Sequence, residues 1–152
     1  MRTCRSNWRR SILEVVIGGL LAVCVSSCAS PVTTLFEEVL AIPDGKSIVY
    51  IYRPSEVTEP TSLPGATKVS YNGETLAWFP TGGYYPLLVE PGVIEVGTTF
   101  DTLKVNIRPG EKYFLRVREM VEHRLVNYIS PVLPEEAMRG LMDCRLVQVE
   151  GR

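Results

Sequence analysis

Between Ser47 and Val149 the apolar residues fall in short runs, many alternating with polar ones, and proline, glycine or asparagine interrupts them every few residues. This spacing predicts strands joined by tight turns. Ile48-Val49-Tyr50-Ile51-Tyr52 is apolar at every position and rich in branched and aromatic residues, the pattern of a central strand covered on both faces. Pro54 ends it, because proline has no N–H to give a ladder. Residues 56–65 hold three prolines or glycines and read as a loop.

The strongest local signal is Asn72-Gly73, since a two-residue hairpin turn needs positive φ at both positions. A hairpin closed there pairs Tyr71 with Glu74, Ser70 with Thr75, Val69 with Leu76, Lys68 with Ala77 and Thr67 with Trp78. One face is then mostly apolar and the other mostly polar, and Trp78 points inward. Two further turns share a form, Glu90-Pro91-Gly92-Val93 and Arg108-Pro109-Gly110-Glu111. Proline followed by glycine suits a type II turn. At the first, a tight hairpin aligns Leu87 and Val89 with Val96 and Ile94. At the second it sets Ile107 against Lys112, a poor match that favours a bulge or a crossing to a second sheet.

Residues 123–130 add a strand without clean alternation, and Arg145 to Val149 offers a closing one. Pro134-Glu135-Glu136-Ala137-Met138-Arg139 predicts a short helix, with proline in the first turn and glutamates at the positive end of the dipole. Upstream, Thr34 with Glu37 forms a capping box for a second short helix that presents Leu35, Phe36, Val39 and Leu40. The expected fold is mainly β: a two-layer antiparallel β-sandwich, immunoglobulin-like or prealbumin-like, with a short N-terminal and a short C-terminal helix.

The first 28 residues follow a different pattern. Arg2, Arg5, Arg9 and Arg10 precede a stretch from Ile12 to Val25 in which only Glu14 is charged. The apolar core from Val15 to Val25 is shorter than the ~20 residues of a membrane span, and has the length of a signal h-region. It ends in Val25-Ser26-Ser27-Cys28. This string resembles the lipobox of bacterial lipoproteins. The resemblance implies cleavage between Ser27 and Cys28, a diacylglyceryl group on the Cys28 thiol, and a membrane anchor made of lipid. Leu21-Ala22-Val23-Cys24 is a weaker rival, because bulky valine directly precedes its cysteine. In such lipoproteins aspartate after the cysteine favours the inner membrane; Ala29 and Ser30 stand here, which implies the outer membrane, facing the periplasm. The organisation expected is a signal peptide at 1–27, a lipidated tether and short helix at 28–45, and a β-sandwich at 46–150.

Composition sharpens this. Removal of residues 1–27 leaves 125 residues, one ordinary domain, with a net charge of −4. That acidity argues against nucleic acid as a partner and against a polybasic membrane patch. Cys144 is then the one remaining thiol, read as a small buried hydrophobe.

From Pro43 to Val149 the chain also resembles a family of small bacterial lipoproteins whose domain has no known function. The matching pieces are Val49-Tyr50-Ile51-Tyr52-Arg53-Pro54 after Asp44-Gly45-Lys46, the Asn72-Gly73 turn, Gly82-Gly83-Tyr84-Tyr85, Val89-Glu90-Pro91-Gly92 and Pro109-Gly110-Glu111-Lys112-Tyr113-Phe114. This resemblance implies fold and location and carries no catalytic residues.

Residue chemistry adds little that points to a reaction. His123 is the sole histidine; Ser130 and Asp101 complete a triad on paper, but without a nucleophile elbow. No metal-ligand spacing is present, so no metal or other cofactor is expected. Thr81-Gly82-Gly83 lacks the lysine and spacing of a phosphate loop. Glu135-Glu136 is explained by the helix start, and Glu119 with Glu122 by a solvated turn. The segment Trp78-Phe79-Pro80-Thr81-Gly82-Gly83-Tyr84-Tyr85 places four aromatics around a glycine corner, a candidate platform for sugar or peptide. Arg53 is a candidate anchor for a carboxylate such as Glu74, or for a backbone carbonyl. The expected protein is non-enzymatic and held to the bacterial envelope membrane through lipid on Cys28. It would contact an envelope protein or, using the Trp78–Tyr85 segment, a cell-wall glycan or peptide; a hydrolase centred on His123 is the least favoured reading.

Overall fold

The computed structural model describes residues 34–55, 65–121 and 125–149. Residues 1–33, which include the expected signal peptide and the start of the expected tether, and residues 56–64, 122–124 and 150–152 lie outside that description. The described residues form nine strands and one helix: β1 (Ser47–Arg53), β2 (Thr67–Tyr71), β3 (Glu74–Phe79), β4 (Gly83–Val89), β5 (Gly92–Gly97), β6 (Thr102–Ile107), β7 (Lys112–Val121), β8 (Leu125–Pro131), α1 (Pro134–Leu141) and β9 (Arg145–Leu146). They build a five-stranded sheet in the order β8-β7-β1-β4-β9 and a four-stranded sheet in the order β3-β2-β5-β6.

The apolar run at Ile48–Tyr52 lies where its sequence predicts, at the centre of the larger sheet. All seven residues of β1 are buried. Val49 and Ile51 face the smaller sheet and pack with Val69, Phe79, Val96 and Leu115 in a shared core. This face-to-face packing makes the architecture sandwich-like. Ile48, Tyr50 and Tyr52 point the other way, into a second cluster with Tyr84, Phe114, Ala137, Leu141 and Cys144. The larger sheet is mixed rather than antiparallel, because β1 runs parallel to β7 and β4 parallel to β9. Parallel neighbours require long crossovers and cover on both faces, and the outer cluster provides the second cover.

That cover comes partly from α1 and partly from residues 34–46, which do not form the helix expected of them. Leu35 bridges Arg145, Phe36 N donates to Cys144 O at 2.9 Å, and Leu146 N donates to Thr34 O at 2.9 Å. Farther along, Val39 N donates to the Tyr50 hydroxyl at 2.8 Å. The Phe36 ring meets Tyr50 and Tyr84 edge-on, with centroids 5.8 and 5.2 Å apart. Tertiary partners for these N–H groups and rings outweigh a short local capping box, since isolated helical turns are marginal. At the other end, α1 forms as expected, with Pro134 in its first turn.

The Asn72-Gly73 turn has φ of 49° and 86°, as a primed hairpin requires. Ser70 opposes Thr75 and Tyr71 opposes Glu74, matching the expected register next to the turn. Beyond it a bulge between Val69 and Ser70 leaves Leu76 without an opposite residue, so that Val69 faces Ala77, Lys68 faces Trp78 and Thr67 faces Phe79. A slip of one residue exchanges the faces of the strand. Phe79 is therefore fully buried, while Trp78, expected inside, is 60% exposed.

Neither Pro-Gly turn closes a hairpin. β4 belongs to the larger sheet and β5 to the smaller, so the chain changes layers at Pro91-Gly92, where a tight hairpin was expected. It changes back between β6 and β7, at the turn where the mismatch of Ile107 with Lys112 favours a crossing.

Gly140 sits inside α1 because a Cβ there would lie 2.8 Å from Cε2 of the buried Tyr52 ring. Exchanging a helical glycine for alanine ordinarily stabilises by about 1 kcal/mol. Gly140→Ala should instead destabilise by about 1–3 kcal/mol, the usual cost of overpacking. Urea unfolding measures it, and a raised midpoint would contradict this account.

Candidate functional site

Arg53 and Glu119 take their positions from strand parity. In β1, Val49, Ile51 and Arg53 share the face toward the inter-sheet core; in β7, Leu115, Val117 and Glu119 do the same. Two opposite charges thus enter the apolar layer at the same end of neighbouring parallel strands. Arg53 Nη2 lies 2.7 Å from Glu119 Oε1, with side chains only 4% and 9% exposed. The other fork nitrogen, Nη1, donates to Phe79 O at 3.1 Å and Gly65 O at 2.5 Å. Thr67 Oγ1 donates to Glu119 Oε1 at 3.3 Å. The carbonyl role proposed for Arg53 is thereby present, and its carboxylate partner is Glu119 rather than Glu74. Glu119 is correspondingly a buried ion-pair partner, not a residue of a solvated turn.

The four aromatics of the Trp78–Tyr85 segment do not converge. Trp78 is exposed on the outer face of the smaller sheet, opposite Lys68, and Phe79 is fully buried between the sheets. Tyr84 is buried in the cluster beneath α1, where its hydroxyl donates to Leu35 O at 3.4 Å and accepts from Glu37 N at 3.3 Å. Tyr85 is half-buried and packs on the opposite, inter-sheet side. Alternation along β4 sends adjacent tyrosines to opposite faces, so the expected four-ring platform reduces to Trp78 alone. The glycine corner serves packing: a Cβ on Gly83 would lie 2.8 Å from Val147 Cγ2 and 2.9 Å from Pro80 O.

Cys144 is fully buried, as expected of a small hydrophobe. Burial pushes its thiol pKa up to about 11, with Asp143 adding to the shift, so it stays protonated and unreactive at neutral pH. Ser27, Cys28 and His123 lie outside the described residues. Asp101 accepts from Thr102 N at 2.9 Å and Ile129 N at 3.0 Å, which accounts for both carboxylate oxygens. Among the described residues no group of His, Cys, Asp and Glu is arranged to hold a metal ion.

One feature has no local signature in the sequence. On the α1 side of the larger sheet a cavity of about 570 Å³ opens between Tyr52 and Pro54 of the first strand end, Arg116 and Arg118 of β7, and Glu136, Arg139 and Gly140 of α1. Arg116 Nη1 pairs with Glu136 Oε1 at 2.6 Å. The Tyr52 hydroxyl and Arg116 Nε are buried and have no hydrogen-bond partner among the described residues. The register that sets Tyr52 beside Arg116 could have suggested this meeting, but it depends on parallel pairing across more than sixty residues.

Comparisons with protein-family models, curated proteins and solved structures gave no match to this chain.

Removing one member of a buried ion pair leaves the other uncompensated, at a cost of about 3–5 kcal/mol. Arg53→Met and Glu119→Leu should each destabilise by that order. The double variant should lose clearly less than the sum of the two, as a double-mutant cycle in urea would measure.

Proposed function

We propose that this protein is a lipid-anchored lipoprotein of the bacterial envelope, held at the outer membrane on its periplasmic side, and that its domain is a non-enzymatic module for contact with another envelope protein. The observation that carries the proposal is Val25-Ser26-Ser27-Cys28 at the end of an arginine-headed apolar segment too short to span a bilayer. Among the described residues no helix is long and apolar enough to cross a membrane; on this reading the attachment is a lipid on Cys28. One acyl chain binds marginally at ~0.8 kcal/mol per buried methylene, and two or three make attachment durable.

Within the domain, the residues singled out for chemistry serve the fold. Arg53 and Glu119 neutralise one another in the core, Tyr84 holds residues 34–38, and Cys144 is packed beneath α1. The same proposal assigns the domain to the immunoglobulin-like or prealbumin-like sandwiches and to the small-lipoprotein family it resembles. The order β3-β2-β5-β6 facing β8-β7-β1-β4-β9, with layer changes at both Pro-Gly turns, supports the sandwich part of that assignment.

A second reading, recognition of cell-wall glycan or peptide, retains one supporting observation: Trp78 is 60% exposed on β3. Exposed tryptophan gives a stacking face for a sugar ring.

Mass spectrometry of the protein recovered from membranes should find Cys28 at the N-terminus carrying diacylglycerol, and Cys28→Ala should abolish both acylation and membrane recovery. An unprocessed, unacylated N-terminus would overturn the anchor, and crosslinking in intact cells that captures no protein would overturn the module. Separately, isolated cell-wall material should retain the wild-type protein and lose it on Trp78→Ala if the second reading holds; equal retention of both removes it.

A further inference from the structure

We propose that the cavity between β7 and α1 binds a phosphate monoester as its dianion. The sign of the charge comes first. Among the described residues, Arg116, Arg118 and Arg139 line the cavity against one carboxylate, Glu136, an excess of two positive charges. Arg116 is only 17% exposed at its side chain and its Nη1 is engaged by Glu136, yet its buried Nε is aimed at nothing among the described residues. The exposed Arg118 and Arg139 flank it from β7 and α1. An unneutralised concentration of guanidinium groups in a recess attracts anions and strengthens their hydrogen bonds.

The donor set then narrows the anion. Tyr52 is fully buried at the cavity wall, and its hydroxyl has no partner among the described residues. Leaving such a hydroxyl unpaired in the folded protein is ordinarily unfavourable. Burial pushes its pKa up to about 12, with Glu136 also raising it and Arg116 opposing, so it keeps its proton and can donate. A carboxylate carries one charge and is satisfied by one guanidinium fork. A phosphate monoester carries about −1.5 to −2 at pH 7 and presents three acceptor oxygens. That matches the excess of two positive charges among the described lining residues, whose donors belong to β1, β7 and α1. The volume of about 570 Å³ lies within the roughly 300–1,000 Å³ range of small-molecule sites, leaving room for the organic group that bears the phosphate. Gly140, which cannot carry a Cβ against the Tyr52 ring, keeps that ring at the wall.

The site does not depend on the lipid anchor, and Cys28→Ala should leave it intact. Isothermal titration calorimetry of the full chain in non-ionic detergent, at constant ionic strength, tests it with glycerol 3-phosphate, inorganic phosphate and succinate. Glycerol 3-phosphate should bind more tightly than succinate. A preference for it over inorganic phosphate identifies an esterified ligand, whereas equal binding of the two, which supports the oxyanion site, overturns the ester. Tyr52→Phe keeps the ring and removes only the unpartnered hydroxyl, so it should weaken binding about tenfold without lowering thermal stability. Arg118→Gln combined with Arg139→Gln changes two exposed residues and should abolish the heat, while Arg108→Gln at the β6–β7 turn should not alter it. No heat with either phosphate compound, succinate binding as tightly as glycerol 3-phosphate, or unchanged affinity in the double arginine variant would each overturn the proposal.

Discussion

A guanidinium placed in an apolar layer has to be neutralised where it stands, because moving it there from water is expensive and the apolar side chains around it accept no hydrogen bonds. At Arg53 this requirement recruits Glu119 from β7, the carbonyl of Phe79 from β3 and that of Gly65 just before β2. Thr67 of β2 adds a bond to the same carboxylate. One buried charge therefore ties the end of the central strand to its neighbour in the larger sheet and to two strands of the smaller one. The registration of the two layers at this end follows from polar geometry, which is directional, whereas the apolar contacts elsewhere tolerate small shifts.

The same strand organises the opposite face. Tyr50 and Tyr84 bring hydroxyls into an otherwise apolar cluster, and residues 34–39 lie where those hydroxyls can meet backbone N–H groups. Tyr52 differs from them, since its hydroxyl is equally buried but unsatisfied. Three tyrosines on one side of the sheet thus divide between holding an extended arm and walling a basic cavity. The distinction rests on what lies above each ring: chain above two of them, the glycine of α1 above the third.

Much of this was legible in sequence, for reasons that differ by element. The double-sided burial of Ile48–Tyr52 and the Asn72-Gly73 turn are local properties of composition and φ preference, and both stand as read. The bulge at Val69 and Ser70 is not local. It reflects which of Trp78 and Phe79 the opposing sheet accommodates, and the smaller ring is the one buried. The 34–38 segment carries an intact capping signal that tertiary hydrogen bonds overrule. Arg53 was recognisable as a polar anchor from its place after an apolar run. Glu119 could have been found by extending the inward parity of Leu115 and Val117, but its neighbour Glu122 made a solvated turn the simpler reading. The basic cavity needed the parallel pairing of β1 with β7, which no short-range pattern encodes.

That pairing also governs how the chain can reach its structure. Ile48 stands in register with Lys112, and Val49 with Tyr113, so the most apolar strand meets one of its two neighbours only after more than sixty further residues are in place. Long-range closure of this kind slows folding, because loop entropy is lost before any contact compensates it. Until β7 docks, β1 is a run of branched and aromatic residues with an unpaired edge, the composition most prone to wrong pairing. The sequence position of β7 therefore sets a waiting time during which this protein is at its greatest risk of aggregation, and the strand that anchors the finished molecule is the one most exposed to that risk.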